Sequence, residues 1–189
     1  FPYTTLFRSV SIVCSNALNR SVKEFGFTEP AEILNKTRCL VIETFAKSGE
    51  EVKDGMDIAL CKLEGTTLSY SGANNPLWIV PNGAKDIEGI VEYKADKQPI
   101  GKYAAEKPFT TNTIELSKGD SIYIFSDGYV DQFGGEKGKK FKAKAFRSLL
   151  IRVQNKPMEE QKRILHETFE NWRGNLEQID DVCIIGVKI

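Results

Sequence analysis

Gly119-Asp120-Ser121-Ile122-Tyr123-Ile124-Phe125-Ser126-Asp127-Gly128 decides how this chain reads. Ile122 to Phe125 is a short apolar run of β-formers, the pattern of a buried strand. The run ends in an acid followed by glycine. A desolvated carboxylate at the mouth of a buried strand must be paired or must hold a metal. Gly128 lets the backbone turn sharply there. The tail holds a second case, Ile179-Asp180-Asp181-Val182-Cys183-Ile184-Ile185, where acids open another apolar strand. The expectation is that these two acid-bearing strand ends meet and share a divalent metal.

The 189 residues suit a single domain with a substantial core. Hydrophobic residues make up 41% and charged residues 28%, ordinary for a globular protein. Lys and Arg (26) balance Asp and Glu (26), so there is no global electrostatic footprint for nucleic acid or anionic membrane, and neither is expected as a partner. No apolar run approaches transmembrane length. Cys14, Cys39, Cys61 and Cys183 are scattered in apolar contexts without a C-x-x-C pair, which predicts reduced core thiols and a cytoplasmic location.

Residues 1–9, Phe-Pro-Tyr-Thr-Thr-Leu-Phe-Arg-Ser, match the translation of a common sequencing-adapter oligonucleotide. They are read as an adapter artefact and left out of fold reasoning. The authentic chain is then expected to start near Val10, inside a domain, so the lack of a signal peptide says nothing about the parent protein. Val10, Cys14, Ala17, Leu18, Val22 and Phe25 fall at helical spacing and predict a helix over 10–25, stopped by Gly26. Thr28 as N-cap and Pro30 in the first turn open a second helix, with Leu34, Val41 and Phe45 as its stripe. The two helices read as a hairpin.

A β region follows. Strands are predicted at 56–63, 67–71, 77–80, 87–93 and 110–116, ahead of the central run. Gln98-Pro99-Ile100-Gly101 sits in a loop, and residues 134–140 make a glycine-rich basic loop. Helices are predicted at about 143–153 and 157–172, the latter with Met158, Leu165, Phe169 and Trp172 on one face. A last strand spans 182–187. Segregated helices with antiparallel strands point to an α+β fold rather than an alternating α/β one.

Each candidate carries two readings. Asp127 is a hard oxygen ligand for Mg²⁺ or Mn²⁺, or a turn residue bonding the backbone of Gly128 and Tyr129. Asp180 and Asp181, if on a strand, point to opposite faces, so at most one joins Asp127; the other reading is a charged strand start. Asp54 and Asp57 read first as turn and strand-start residues, and Asp131 as either a neighbour of the site or an exposed acid. Residues 71–76 form a small-residue loop whose default reading is a turn. Lys137, Lys139, Lys140, Lys142 and Lys144 read as a solvated loop rather than a phosphate attractor. His166 is the lone histidine, on the polar side of its helix; without a G-x-S-x-G elbow it has no nucleophile to serve.

In order along the chain, four features resemble the bacterial metal-dependent PP2C-type phosphatases, specifically the stage II sporulation protein E group. They are the N-terminal helix pair, Gly72-Ala73-Asn74-Asn75-Pro76, Gln98-Pro99-Ile100-Gly101, and Ser126-Asp127-Gly128 with terminal Asp180-Asp181. The likeness spans roughly residues 10–189, read as the C-terminal portion of such a domain. It implies an α/β/β/α sandwich of two antiparallel sheets flanked by helix pairs. It implies hydrolysis of phosphoserine or phosphothreonine on a protein, by water activated between two Mg²⁺ or Mn²⁺ ions, with Asp127 and Asp180 as metal ligands. It further implies an upstream sensor region and a phosphorylated regulatory partner, often of a sigma-factor switch.

The family's Asp-x-Thr-Gly-His-Gly motif, whose Asp bridges both metals, belongs just before the helix at residue 10. The adapter-like residues stand there instead. The expectation is therefore a fragment that lacks its early strands and is inactive alone, with sheet edges left unpaired. The competing readings are a non-catalytic phosphatase-like module that docks a partner, and a plain structural domain.

Overall fold

The computed structural model describes residues 2–48 and 55–189. In chain order they form α1 (Pro2–Lys23), α2 (Pro30–Ser48), β1 (Ile58–Glu64), β2 (Thr67–Ala73), β3 (Leu77–Val80), a 3₁₀ turn (Ile87–Gly89), β4 (Val91–Tyr93), β5 (Asn112–Glu115), β6 (Ser121–Phe125), α3 (Gly128–Asp131), β7 (Phe133–Gly134), β8 (Lys139–Lys140), α4 (Ala143–Val153), α5 (Met158–Arg173) and β9 (Ile184–Lys188). Every strand pairing is antiparallel, and the fold is α+β as expected. Two compact units divide it: Phe1–Pro76 with Lys94–Glu115, and Leu77–Tyr93 with Leu116–Ile189.

The first unit holds the helical hairpin and a sheet in the order β1-β2-β5. On α1, Val10, Cys14 and Ala17 face inward as predicted, but Val22 and Phe25 are 44% exposed. The 3.6-residue period that carries 10, 14 and 17 inward continues to Ser21, not to 22. A buried hydroxyl is tolerated there because Ser21 Oγ donates to the Ala17 carbonyl (2.8 Å) and meets Thr37 Oγ1 of α2 at 3.1 Å. Phe25, past the helix end, lies instead under the Lys36 ammonium. Leu34, Val41 and Phe45 of α2 are buried as predicted. The helix opens at Pro30, so Glu29 rather than Thr28 precedes its first residue.

The Gln98–Gly101 loop is pinned to this unit from both sides. Met56 and Ile100 exchange both backbone hydrogen bonds (3.0 and 2.8 Å). Arg38, buried on α2, donates to Gln98 Oε1 (3.1 Å) and to the Lys107 carbonyl (2.9 Å), and stacks over Phe109. Its neutral partners satisfy the guanidinium without a carboxylate.

In the second unit the sheet order is β4-β3-β6-β9, so the quoted apolar run is an interior strand with neighbours on both edges. Trp78, Val80, Tyr123 and Phe125 share one face. They pack against Phe146, Leu149, Leu150 and Val153 of α4 and Leu165 and Phe169 of α5. Arg147 lies 4.2 Å over the Trp78 ring and pairs with Glu92.

Three expectations are corrected here. Residues 87–89 are a 3₁₀ turn, because the Asp86 carboxylate accepts from Gly89 N (3.2 Å) and holds the chain curled until β4 begins. The basic loop is a two-stranded hairpin, β7 with β8. Finally, β9 begins at Ile184, so Asp180 and Asp181 precede the strand and the alternation argument does not apply to them.

All four cysteines are free thiols, but Cys39 and Cys183 are exposed rather than in the core. Cys14 is buried and half-buried Cys61 sits on β1, where desolvation pushes its thiol up to about 11. At pH 8 only roughly 0.1% of Cys61 is thiolate. Iodoacetamide at pH 8 is therefore expected to label Cys39 and Cys183 within minutes and to spare Cys14 and Cys61 until denaturant is added. Four labels on the folded chain, counted by mass spectrometry, would contradict this placement.

Candidate functional site

Strand β6 is flanked by two acids with opposite fates. Asp120 at its start is the buried one, 8% exposed. Its carboxylate accepts from Asn82 N and Ser117 N, each at 2.8 Å. Its N–H donates to the Ser117 carbonyl (3.0 Å) and its carbonyl accepts from Ile189 N (2.9 Å), closing the turn into β6. This acid is an anchor for two loops. Asp120→Asn turns one acceptor oxygen into a donor facing an N–H, and is expected to cost about 2 kcal/mol. A urea midpoint within the equivalent of about 0.5 kcal/mol of the unaltered chain would contradict that role.

Asp127, at the other end, is exposed. It precedes α3 with helical backbone angles (φ −71°, ψ −16°), and its side chain does not cap the helix. The turn-capping alternative is thus not what this residue does. Its carbonyl accepts from Asp131 N at 2.9 Å. The following Tyr129 is buried and donates its phenol to the Leu165 carbonyl (2.8 Å), and burial pushes that phenol far above its usual range. The turn carrying Asp127 is therefore seated on a rigid aromatic base.

The acid-bearing tail is brought against this turn. Ser126 Oγ donates to the Asp181 carbonyl (2.7 Å) and accepts from Cys183 N (2.9 Å), while Ser126 N donates to the Cys183 carbonyl (3.0 Å). Gly128 is required by the same approach. A β-carbon there would collide with the Asp181 carbonyl oxygen and stand 3.3 Å from the Asp180 carbonyl carbon. Asp180 Oδ1 accepts from Asp181 N (2.7 Å), folding the acid into a bend at the chain surface.

Upstream of Asp180, Gln132 does similar work. It is fully buried, and its Nε2 donates to the Phe133 and Glu177 carbonyls (3.0 and 2.9 Å) while its Oε1 accepts from Ile179 N (3.3 Å). Sequence reading missed Gln132. A glutamine after a short polar turn carries no periodic signal, and only its burial betrays it.

The donor set at this turn is carboxylate oxygen, which suits Mg²⁺ or Mn²⁺ rather than a soft metal. Among the described residues no group of three or more His, Cys, Asp and Glu side chains converges. Asp127 and Asp180 thus fit a divalent ion as part of a ligand set, not as a complete one.

The remaining candidates lie elsewhere. Asp57, in the first unit, accepts from Asn74 Nδ2 (2.8 Å), and Asn74 holds a left-handed φ of 59° in the small-residue loop. Asp54 lies outside the described residues. Asp131 is paired with Lys140 of β8 at 2.9 Å. His166 is exposed on α5. Among the described residues no helix is long and apolar enough to cross a membrane.

Residues 9–189 match the family model of stage II sporulation protein E. No curated protein matches the chain. Solved structures do. The SiaA-PP2C domain of Pseudomonas aeruginosa is similar at 23% identity and a TM-score of 0.82, covering 95% of this chain and 69% of that one. The PP2C phosphatase domain with a regulatory-domain fragment of SpoIIE from Bacillus subtilis matches at 16% identity and TM-score 0.65; there this chain spans only 48% of the longer protein. The catalytic domain of the serine/threonine protein phosphatase PstP, in complex with two manganese ions, matches at 14% identity and TM-score 0.59, over 92% of this chain and 79% of that one. At these identities the structures speak to the fold, and that fold is the PP2C type.

Proposed function

The chain belongs to the stage II sporulation protein E family, and on that premise we propose that it is part of a metal-dependent protein serine/threonine phosphatase domain. The observation that supports this most directly is the seating of the Asp180 segment on the turn that carries Asp127, through Ser126 and across Gly128. Asp127 and Asp180 would hold Mg²⁺ or Mn²⁺, and the bound ion would supply Lewis-acid activation of water for attack on a phosphate ester. The chain's own contribution is positional. Two acids from separate segments are fixed by backbone hydrogen bonds beside a buried aromatic base, exposed to an incoming phosphoprotein. The substrate in this reading is a phosphorylated regulatory protein, as in sigma-factor partner switches. The domain works in the cytoplasm under an upstream sensor region of a longer chain.

The test is phosphate release from phosphoserine peptides by a longer chain that carries an Asp-x-Thr-Gly-His-Gly stretch ahead of residue 10. Release should stop with EDTA and return with Mn²⁺. Metal-independent release would overturn the mechanism, and full activity in Asp127→Asn and Asp180→Asn would overturn the ligand assignment. A second reading is a phosphatase-like domain that docks a partner without turnover. If the upstream coding sequence carries a substituted Asp there, the domain is a docking module without turnover.

A further inference from the structure

We infer that Ser126 and Gln132 are positioning residues that set where Asp180 stands relative to Asp127; the inference rests on the metal reading above. Five hydrogen bonds and one close backbone approach join the seven residues 177–183 to the short stretch 126–132. Ser126 takes the downstream half, through the Asp181 carbonyl, Cys183 N and the Cys183 carbonyl. Gln132 takes the upstream half, through the Glu177 carbonyl and Ile179 N, and Trp172 Nε1 holds the Gln132 carbonyl at 3.0 Å. The sixth point is steric: the bare α-carbon of Gly128 lets the Asp180–Asp181 peptide lie against the turn.

The Ser126 contact has a further feature. Residues 126 and 183 stand opposite each other in the continuation of the β6–β9 register, where Ser126↔Cys183 follows Phe125↔Ile184. A regular ladder at that rung would send Cys183 N to the Ser126 carbonyl. It goes to the hydroxyl instead, so the ladder ends there and the chain leaves the sheet plane. The hydroxyl thus does two jobs that a carbonyl cannot do together: it accepts from Cys183 N and donates back to the Asp181 carbonyl. Asp180 lies between the two clamps, one residue from each. Outer-layer hydrogen bonds that orient ligands matter to metal affinity by about tenfold or more.

The experiment measures Mn²⁺ affinity of the 189-residue chain by the EPR signal of free Mn²⁺, together with amide exchange at Ile179 and Cys183. Ser126→Ala should weaken Mn²⁺ about tenfold and speed exchange at Cys183. Ser126→Thr, which keeps the hydroxyl, should restore both. Gln132→Met, similar in length but without hydrogen-bonding atoms, should weaken Mn²⁺ and speed exchange at Ile179. A purely structural role would lower the melting temperature while leaving Mn²⁺ affinity of the folded chain unchanged, and that result overturns the inference. Asp127→Asn and Asp180→Asn separate the two claims. If they abolish Mn²⁺ binding and Ser126→Ala does not weaken it, the clamp is wrong and the metal reading stands. If they leave Mn²⁺ binding unchanged, the metal reading falls and the clamp falls with it; if the unaltered chain binds none, the clamp builds no Mn²⁺ site in these residues and the inference falls, while the metal reading is decided by phosphate release from the longer chain. Should Gln132→Met fail to fold, the Ser126 pair decides alone.

Discussion

The 189-residue chain by itself is expected to release no phosphate from phosphoserine peptides above the Mn²⁺-only background. A longer chain with an Asp-x-Thr-Gly-His-Gly stretch ahead of residue 10 is expected to turn over. The argument is about donors. A catalytic two-ion site needs carboxylates from several segments to hold both ions and neutralise charge as the phosphoryl group transfers. The proposed ligands in the second unit are Asp127 and Asp180, and among the described residues no group of three or more His, Cys, Asp and Glu converges. Two exposed carboxylates can attract one cation, but they leave it mostly hydrated and free to move. On the proposed ligand assignment, Asp127→Asn in the longer chain is expected to cost about 4 kcal/mol of transition-state stabilisation, roughly 10³-fold in kcat/KM. Malachite-green detection across a Mn²⁺ series reads both. Robust Mn²⁺-dependent turnover by the 189 residues alone would show that the site is complete within them. A loss below about tenfold in Asp127→Asn would remove that residue from the ligand set.

The central strand was legible because its signal is local. A run of β-branched and aromatic residues closed by Asp-Gly reads as a buried strand and turn, and β6 sits between β3 and β9. The bounds of β3 and α4 were legible for the same reason: Pro81-Asn82-Gly83 and the amphipathic spacing of Phe146, Leu149, Leu150 and Val153 are sharp signals. What failed needed a partner to decide it. Ser21 takes the inward place over Val22, and a hydroxyl is tolerated there because Ala17 and, on the facing helix, Thr37 partner it. Residues 87–89 alternate like a strand, yet the Asp86 side chain curls them. Of the two acids around β6, sequence singled out Asp127 as the one needing a reason. The buried carboxylate is Asp120, whose reason is two backbone N–H groups, that of Ser117 nearby and that of Asn82, 38 residues away in sequence. Burial of a polar side chain is a tertiary fact, and the same holds for Gln132.

Phe146→Ala is expected to destabilise the protein by about 3–5 kcal/mol. Phe146 is completely buried on α4. Its ring stands 5.7 Å from Trp78, 5.1 Å from Phe125 and 4.8 Å from Tyr129, centroid to centroid, so it joins the sheet face to the turn that follows Asp127. Deleting it removes the apolar transfer term and three ring contacts. The rings around the hole are themselves fixed: Trp78 by Arg147 above it, Tyr129 by its bond to the Leu165 carbonyl. They cannot collapse inward without breaking those contacts, so the cavity term is retained. For a chain of this length the loss corresponds to a fall of roughly 10 °C in melting temperature. Ser148→Ala, exposed on the same helix, serves as the control for helix propensity and should change stability by less than about 0.5 kcal/mol. Because Tyr129 loses a neighbour, near-ultraviolet dichroism from the tyrosine should also weaken before unfolding begins. A loss under about 1.5 kcal/mol in urea titration would mean the cluster relaxes around the hole, and the turn bearing Asp127 does not rest on a rigid base.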